Sequence, residues 1–159
     1  MGDKIKTVCF SGHRVLHDPK EAVEKSLEIA IRQCIESGSE RFITGGALGV
    51  DTLAAWTIIR LRSEYPKIRL VLALPCPPDD QTLKWSDEQK EEYQQILDLA
   101  ADEVKILSDR YTDKCMLARN RYMVDNSSKL IYYLRSGGRG GTKYTVNHAQ
   151  KQGIELIGI

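Results

Sequence analysis

The sequence is short of several things that would decide its class at once. It has no excess of charge: 23 Lys+Arg stand against 22 Asp+Glu, for a net charge of +1. That balance gives no bulk attraction to phosphate polymers or anionic membranes, so a membrane is not an expected partner and nucleic acid is a disfavoured one. No apolar run approaches the ~20 residues of a membrane span. The opening "MGDKIKTVCF" has no signal-peptide core, and Lys6 stands where a myristoylation motif wants serine or threonine. A cytoplasmic protein is expected. Cysteine is sparse and scattered. Cys9, Cys34, Cys76 and Cys115 form no CxxC and have no histidine pair nearby, so neither a metal site nor a disulfide scaffold is expected. Cys9 and Cys34 read as small buried hydrophobes, whereas Cys76 in "PCPP" is the one with a claim to exposure. No linker, composition shift or repeat divides the 159 residues, which predicts one domain over 1–159.

What the sequence does contain is a regular alternation. Strands are expected at Lys4–Phe10, Arg41–Thr44, Arg69–Leu74, Glu103–Leu107, Lys129–Leu134 and Ile154–Ile159. Pro19 can open the first helix, in which Val23, Leu27, Ala30, Ile31 and Cys34 share a stripe before Gly38 closes it. Further helices are expected at Asp51–Glu64, Asp87–Ala100, Lys114–Asp125 and Thr142–Gln152, the last capped by Gly153. Six strands alternating with five helices predict an α/β protein. The expected form is a Rossmann-like three-layer sandwich, a mostly parallel six-stranded sheet with helices on both faces. The unbroken apolar run Arg69–Leu74 suits a strand covered on both sides.

Ligands of such sheets bind outside the carboxyl ends of the strands. The unusual loops all fall there: "SGHR", "TGGALGVD", "PCPPDDQTLKW" and "RSGGRGGT". Glycines between strand and helix let backbone N–H groups approach an anion at the positive helix end. Two familiar templates fail. A Walker loop needs lysine and a hydroxyl residue where Val50 and Asp51 stand, and a dinucleotide fingerprint needs GxGxxG in the first turn, where "SGHR" stands. What remains is a two-loop anion site.

Its expected members are Gly12, His13 and Arg14 after the first strand, and Gly45, Gly46, Ala47 and Gly49 after the second. Gly140, Gly141 and Thr142 join them ahead of the last helix, with Thr142 also placed to cap it. The three glycines Gly45, Gly46 and Gly49 are assigned to close approach of the ligand, so Gly46→Val is expected to abolish binding without unfolding the chain. Asp51 has three open readings: a carboxylate at a positive helix end, an acceptor for ribose hydroxyls, or a catalytic acid/base. A wheel of "CMLARNRYMVD" puts Asn120 at the centre of an apolar face and Arg119 and Arg121 about 100° to either side. Both arginines cannot reach one ligand. The wheel does not choose between them; Arg119 is preferred to Arg121 for the ligand, and Asn120 is expected to tie down a loop backbone. Trp85 either stacks on a base or covers the core.

The set "FSGHR", "TGGALGVDTLAA", Trp85, "LARNRYMVDNSSKLIYYL" and "GGTKYTVNHAQKQG" resembles the YpsA-type family of the SLOG superfamily, over nearly the whole chain and in order. That superfamily also includes the DprA DNA-processing proteins and the LOG phosphoribohydrolases. The resemblance implies a Rossmann-like fold and a nucleotide or nucleotide-derived ligand, with no further cofactor. Relatives often form homo-oligomers, although no heptad or interface signature shows one here. The LOG motif PGGxGTxxE aligns with Gly137 at its proline, Arg139 at its second glycine and Thr145 at its glutamate, so the carboxylate of that chemistry is missing. Three functions follow: a nucleotide-binding sensor or regulator, a nucleotide N-glycosidase using Asp51 instead, or a nucleic-acid binder of DprA type. The last wants a basic groove with stacking aromatics that the composition does not display.

Overall fold

The computed structural model describes residues 2–135 and 140–159. In chain order they form α1 (Gly2–Ile5), β1 (Thr7–Gly12), α2 (Lys20–Glu36), β2 (Arg41–Thr44), α3 (Val50–Leu61), β3 (Arg69–Leu74), α4 (Pro78–Gln81) and α5 (Asp87–Gln95). A π-helical turn over Ile96–Ala100 follows, then β4 (Glu103–Ile106), α6 (Cys115–Asp125), β5 (Lys129–Tyr133), α7 (Gly141–Gln152) and β6 (Glu155–Gly158). The strands make one six-stranded sheet in the order β4-β3-β2-β1-β5-β6, and every pairing is parallel. The α/β, Rossmann-like sandwich expected from the alternation is the fold observed.

Two apolar clusters show the three layers. One face of the sheet (Val8, Phe10, Phe42, Leu70, Leu72, Ile131) packs against Val23, Leu27 and Ile31 of α2 and Leu53, Ala54 and Ile58 of α3. The other face (Cys9, Ile43, Val71, Leu130) packs against Met123 and Val124 of α6 and Val146 and Ala149 of α7. Alternate residues of each central strand therefore feed opposite cores, which is why these strands read as continuous apolar runs. The α2 stripe Val23, Leu27, Ala30, Ile31 and Cys34 is buried as the helical spacing requires. Among the described residues no helix is long and apolar enough to cross a membrane.

Differences from the sequence reading are local. Residues Gly2–Ile5 form a helical turn instead of starting the first strand, and Thr7 Oγ1 donates to the Asp3 carbonyl at its end. The strand consequently runs on through Ser11 and Gly12, which pair with Tyr132 and Tyr133 of β5. The segment expected as a single helix over Asp87–Ala100 changes to π-helical winding at Ile96. It starts at a capping box, with Ser86 Oγ accepting from the Gln89 N–H and Gln89 Oε1 accepting from the Ser86 N–H. A short turn, α4, interrupts the loop expected after β3.

Candidate functional site

The sheet order fixes where a site belongs. The chain winds outward from β1 to β4, then returns to place β5 on the other side of β1, so the strand order reverses between β1 and β5. At such a switch point neighbouring loops part and leave a crevice beyond the carboxyl ends. A cavity of about 360 Å³ lies there, lined by Ser11, Gly12, His13 and Arg14 from the end of β1 and by Ala47 and Asp51 from the β2–α3 connection. Met116, Leu117, Arg119, Asn120 and Met123 of α6 line it too, with Gly140, Gly141 and Thr142 at the start of α7. Four stretches far apart in sequence thus meet, and most of the expected site residues are among them.

The floor is a buried polar group. Arg119, only 4% exposed, donates from Nη1 to the Gly45 carbonyl and from Nε to Asn120 Oδ1 at 2.8 Å. Asp51, 6% exposed, accepts the Ala47 N–H at 3.3 Å through Oδ2. Burial pushes the Asp51 carboxyl above its ordinary range, opposed chiefly by the nearby Arg119 charge and then by the Ala47 and Gly45 N–H groups. The same burial pulls the Arg119 guanidinium down, against the Asp51 charge that holds it up. Among the described residues, the bond Asn120 makes is to Arg119, which it orients. Arg121 is exposed and lines a separate groove with Tyr144, His148 and Lys151, so Arg119 is the inward arginine.

The walls carry the cations and free donors. Among the described residues no side chain caps the first turn of α7, and its N–H groups point out of the helix end beside the cavity. Thr142 lies one residue inside the helix, buried and lining the cavity, instead of capping it. Thr145 donates its hydroxyl to the Gly141 carbonyl at 2.7 Å, a bond within α7. Gly137 and Arg139 lie outside the described residues.

The three glycines of "TGGALGVD" do not line the cavity, and their reason is internal. A Cβ on Gly45 would stand 2.4 Å from Arg119 Nη1 and 2.8 Å from Asp51 Oδ2. One on Gly46, where φ is +69°, would stand 2.7 Å from Leu74 Cδ2. One on Gly49, where φ is +79°, would stand 2.4 Å from the carbonyl oxygens of His13 and Arg14. Close approach is indeed what these glycines permit, but the approaching group is the protein itself. Gly46→Val therefore costs stability as well as any binding, contrary to the expectation that the fold would be untouched. Gly12 also lies against protein, since its Cβ would stand 2.6 Å from the Val50 side chain.

Supporting residues that the sequence did not signal hold these loops. The Gly46 carbonyl accepts from Gln81 Nε2 at 3.4 Å, and Gln81 Oε1 accepts from Tyr93 Oη at 2.7 Å. On the other wall, His13 Nε2 accepts the Arg135 N–H at 2.9 Å. The ring stacks on His17 at 4.7 Å and meets Tyr133 edge-on at 5.7 Å. Tyr133 donates to Asp18, and so does Arg135. Nothing in the spacing of the sequence pairs His17 with His13.

An imidazole nitrogen that accepts a hydrogen bond cannot be protonated. Burial, with the His17 and Arg135 charges, lowers His13 below its ordinary 6.5. The unfolded chain then binds the proton more readily, so the stability this residue contributes is complete above pH 6.5 and is lost as pH falls below it. The expected result is a thermal midpoint that declines on acidification from pH 7 to below 6, with that decline flattened in His13→Gln. An unchanged profile in the variant would remove His13 from the acid sensitivity.

Trp85 does not line this cavity. It is half-buried against the core and meets Tyr93 edge-on at 5.2 Å, with the Arg14 guanidinium 6.0 Å from its ring centroid. Cys76 is fully buried, not exposed, and burial together with the neighbouring Cys115 pushes its thiol up to about 11. That is the setting of an inert thiol.

Fold and crevice together define an α/β domain with a polar-floored pocket at its topological switch point. A model of the YspA SLOG family matches residues 14–155, and the chain belongs to that family, as its motifs implied. It is 30% identical over 139 residues to the uncharacterized SPbeta prophage-derived protein YoqJ of Bacillus subtilis (strain 168), covering 80% of each chain. It is 27% identical over 131 residues to a UPF0398 protein of Bacillus velezensis, covering 82% of this chain and 71% of that protein. Among solved structures it is similar to DNA processing protein A from Helicobacter pylori, with a TM-score of 0.66 at 22% identity. DprA from Streptococcus pneumoniae gives 0.67 at 17%. Both matches cover 98% of this chain, which spans 66% and 50% of the lengths of those two proteins.

Proposed function

We propose that the cavity binds a nucleotide or nucleotide-derived small molecule through its phosphate, and that the domain acts as a sensor or regulator in the cytoplasm. The observation that carries this reading is the meeting of Arg14, the uncapped start of α7 and the buried Asp51–Arg119 floor in one crevice. Donors and positive potential converge there, while the apolar side chains of Met116 and Met123 exclude water from one side. The hydroxyl of Thr145 is spent inside α7, so no carboxylate of the LOG kind is offered at that position.

Asp51 favours a second reading, a nucleotide N-glycosidase. A cavity-lining carboxyl whose burial keeps its proton bound to higher pH can protonate a departing base. The Helicobacter protein's single-stranded DNA binding suggests a third, nucleic-acid reading. The near-neutral charge does not favour it over the first two.

A thermal-shift panel of nucleotides and nucleotide-sugars tests the proposal, with chromatography of each compound afterwards. A ligand at 100 times its Kd is expected to add about 2.7 kcal/mol of stability. Recovery of intact ligand supports the sensor. Release of free base, lost in Asp51→Asn, supports the glycosidase. Retardation of oligonucleotides with a steep salt dependence supports the third reading. A flat response across the panel overturns the site.

A further inference from the structure

A larger cavity, about 690 Å³, adjoins the first and shares Arg14 and Met116 with it. Its character is different. Trp85, Leu83 and Tyr111 line it, and Leu83 and Tyr111 are 73% and 57% exposed. Large apolar side chains left this open beside a pocket mark a surface that something covers. Trp85 is a positioned ring, not a loose one: Tyr93 meets it edge-on at 5.2 Å and is itself anchored by its hydroxyl on Gln81. The Arg14 guanidinium stands 6.0 Å from the Trp85 centroid while also lining the first cavity. One cation therefore marks the junction between a polar, donor-rich chamber and an aromatic one.

Resting on the phosphate-site reading above, we infer that the two chambers form a single bipartite site. The phosphate and sugar lie in the first chamber, and the planar base lies in the second, against Trp85 and Tyr111. The ligand class is narrowed accordingly. A bare sugar phosphate fills only the polar chamber, whereas a nucleotide fills both, with Arg14 beside the link between them. The neighbouring polar groups Asp80, Gln89 and Arg110 can read the edge of a base. Trp85, left open in the sequence between base stacking and core cover, does both: one part of it is packed and the rest lines the chamber.

The test uses the intact chain with ribose 5-phosphate and with AMP, GMP, CMP and UMP as probes, titrated by calorimetry. The sequence has two tryptophans, so a Trp56→Phe background leaves Trp85 as the only indole emitter. At least one nucleoside monophosphate is expected to bind roughly five- to a hundredfold more tightly than ribose 5-phosphate, the usual return from base–aromatic stacking. It is also expected to quench Trp85 emission. Trp85→Ala should remove that advantage and leave ribose 5-phosphate affinity unchanged. Tyr111→Ala, at an exposed position that the fold does not depend on, should reduce it in the same direction. Equal affinity for ribose 5-phosphate and all four nucleotides overturns the bipartite site and leaves the phosphate site standing. So does tighter nucleotide binding that neither quenches Trp85 nor responds to the two variants. Failure of every probe, ribose 5-phosphate included, overturns the phosphate site and the bipartite site together.

Discussion

Arg119→Ala is expected to lose about 3–5 kcal/mol of folding stability at neutral pH, the usual cost of removing one partner of a buried charged pair. The side chain is 4% exposed, and its guanidinium serves three groups at once: the Gly45 carbonyl, the Asn120 amide oxygen and the Asp51 charge. Alanine leaves the Gly45 carbonyl without that donor, worth about 1–3 kcal/mol alone. It also removes the main influence holding down the Asp51 pKa, which burial already raises above 3.8. The variant's Asp51 keeps its proton to a higher pH than the wild type's, so the deficit is smallest at low pH, where both folded proteins hold the proton, and widens as pH rises past the wild-type group's own raised pKa. Urea unfolding at two pH values measures both effects. Arg119→Lys keeps the charge without the planar fork and is expected to recover only part of the loss. A deficit below about 1 kcal/mol, independent of pH, would mean that solvent replaces the guanidinium.

Gly49→Ala is the second large effect, expected at about 3 kcal/mol or more. Two independent causes add. The backbone sits at φ +79° and ψ −124°, which an L side chain rarely adopts. The new Cβ would meet the His13 and Arg14 carbonyl oxygens at 2.4 Å, and both are backbone atoms that no rotamer change can move aside. A midpoint shift in urea with an unchanged m-value is the expected signature. A near-neutral result would show that the first loop can retreat from the second, and that the cavity wall is pliable.

Much of the architecture was legible because period and punctuation agree. Strand residues such as Leu70–Leu74 are apolar without interruption since both faces are covered, and the α2 stripe repeats at helical spacing. The loops at the carboxyl edge could be located for the same reason. The loops that line the crevice could be located, but their internal contacts could not. Sequence spacing puts Gly45 and Asp51 in one stretch and Arg119 some seventy residues away, and only the fold shows them sharing one small volume. A glycine needed for ligand approach and one needed for protein approach look identical in a string, so the sequence alone does not reveal that the neighbours of Gly45, Gly46 and Gly49 are protein atoms. Cys76 poses a related problem. Prolines around it suggested an open loop, whereas the thiol turns in beside Cys115. The wheel for α6 found its buried face but could not choose between arginines equally displaced from Asn120.

The contact of Gly49 with His13 and Arg14 has a bearing on inheritance. The Val50 N–H donates to the His13 carbonyl at 3.3 Å, and the Val50 side chain fills the space a Cβ on Gly12 would take, so "SGHR" and "GGALGV" are shaped to each other at several atoms. They are separate in the gene but behave as one part. A relative that altered either loop alone would meet a mismatched partner, and a graft that transplants one without the other would carry over the letters and lose the pocket. Variation in this wall should therefore arrive in pairs, and chimeras that exchange both loops together are the ones that should retain a formed cavity.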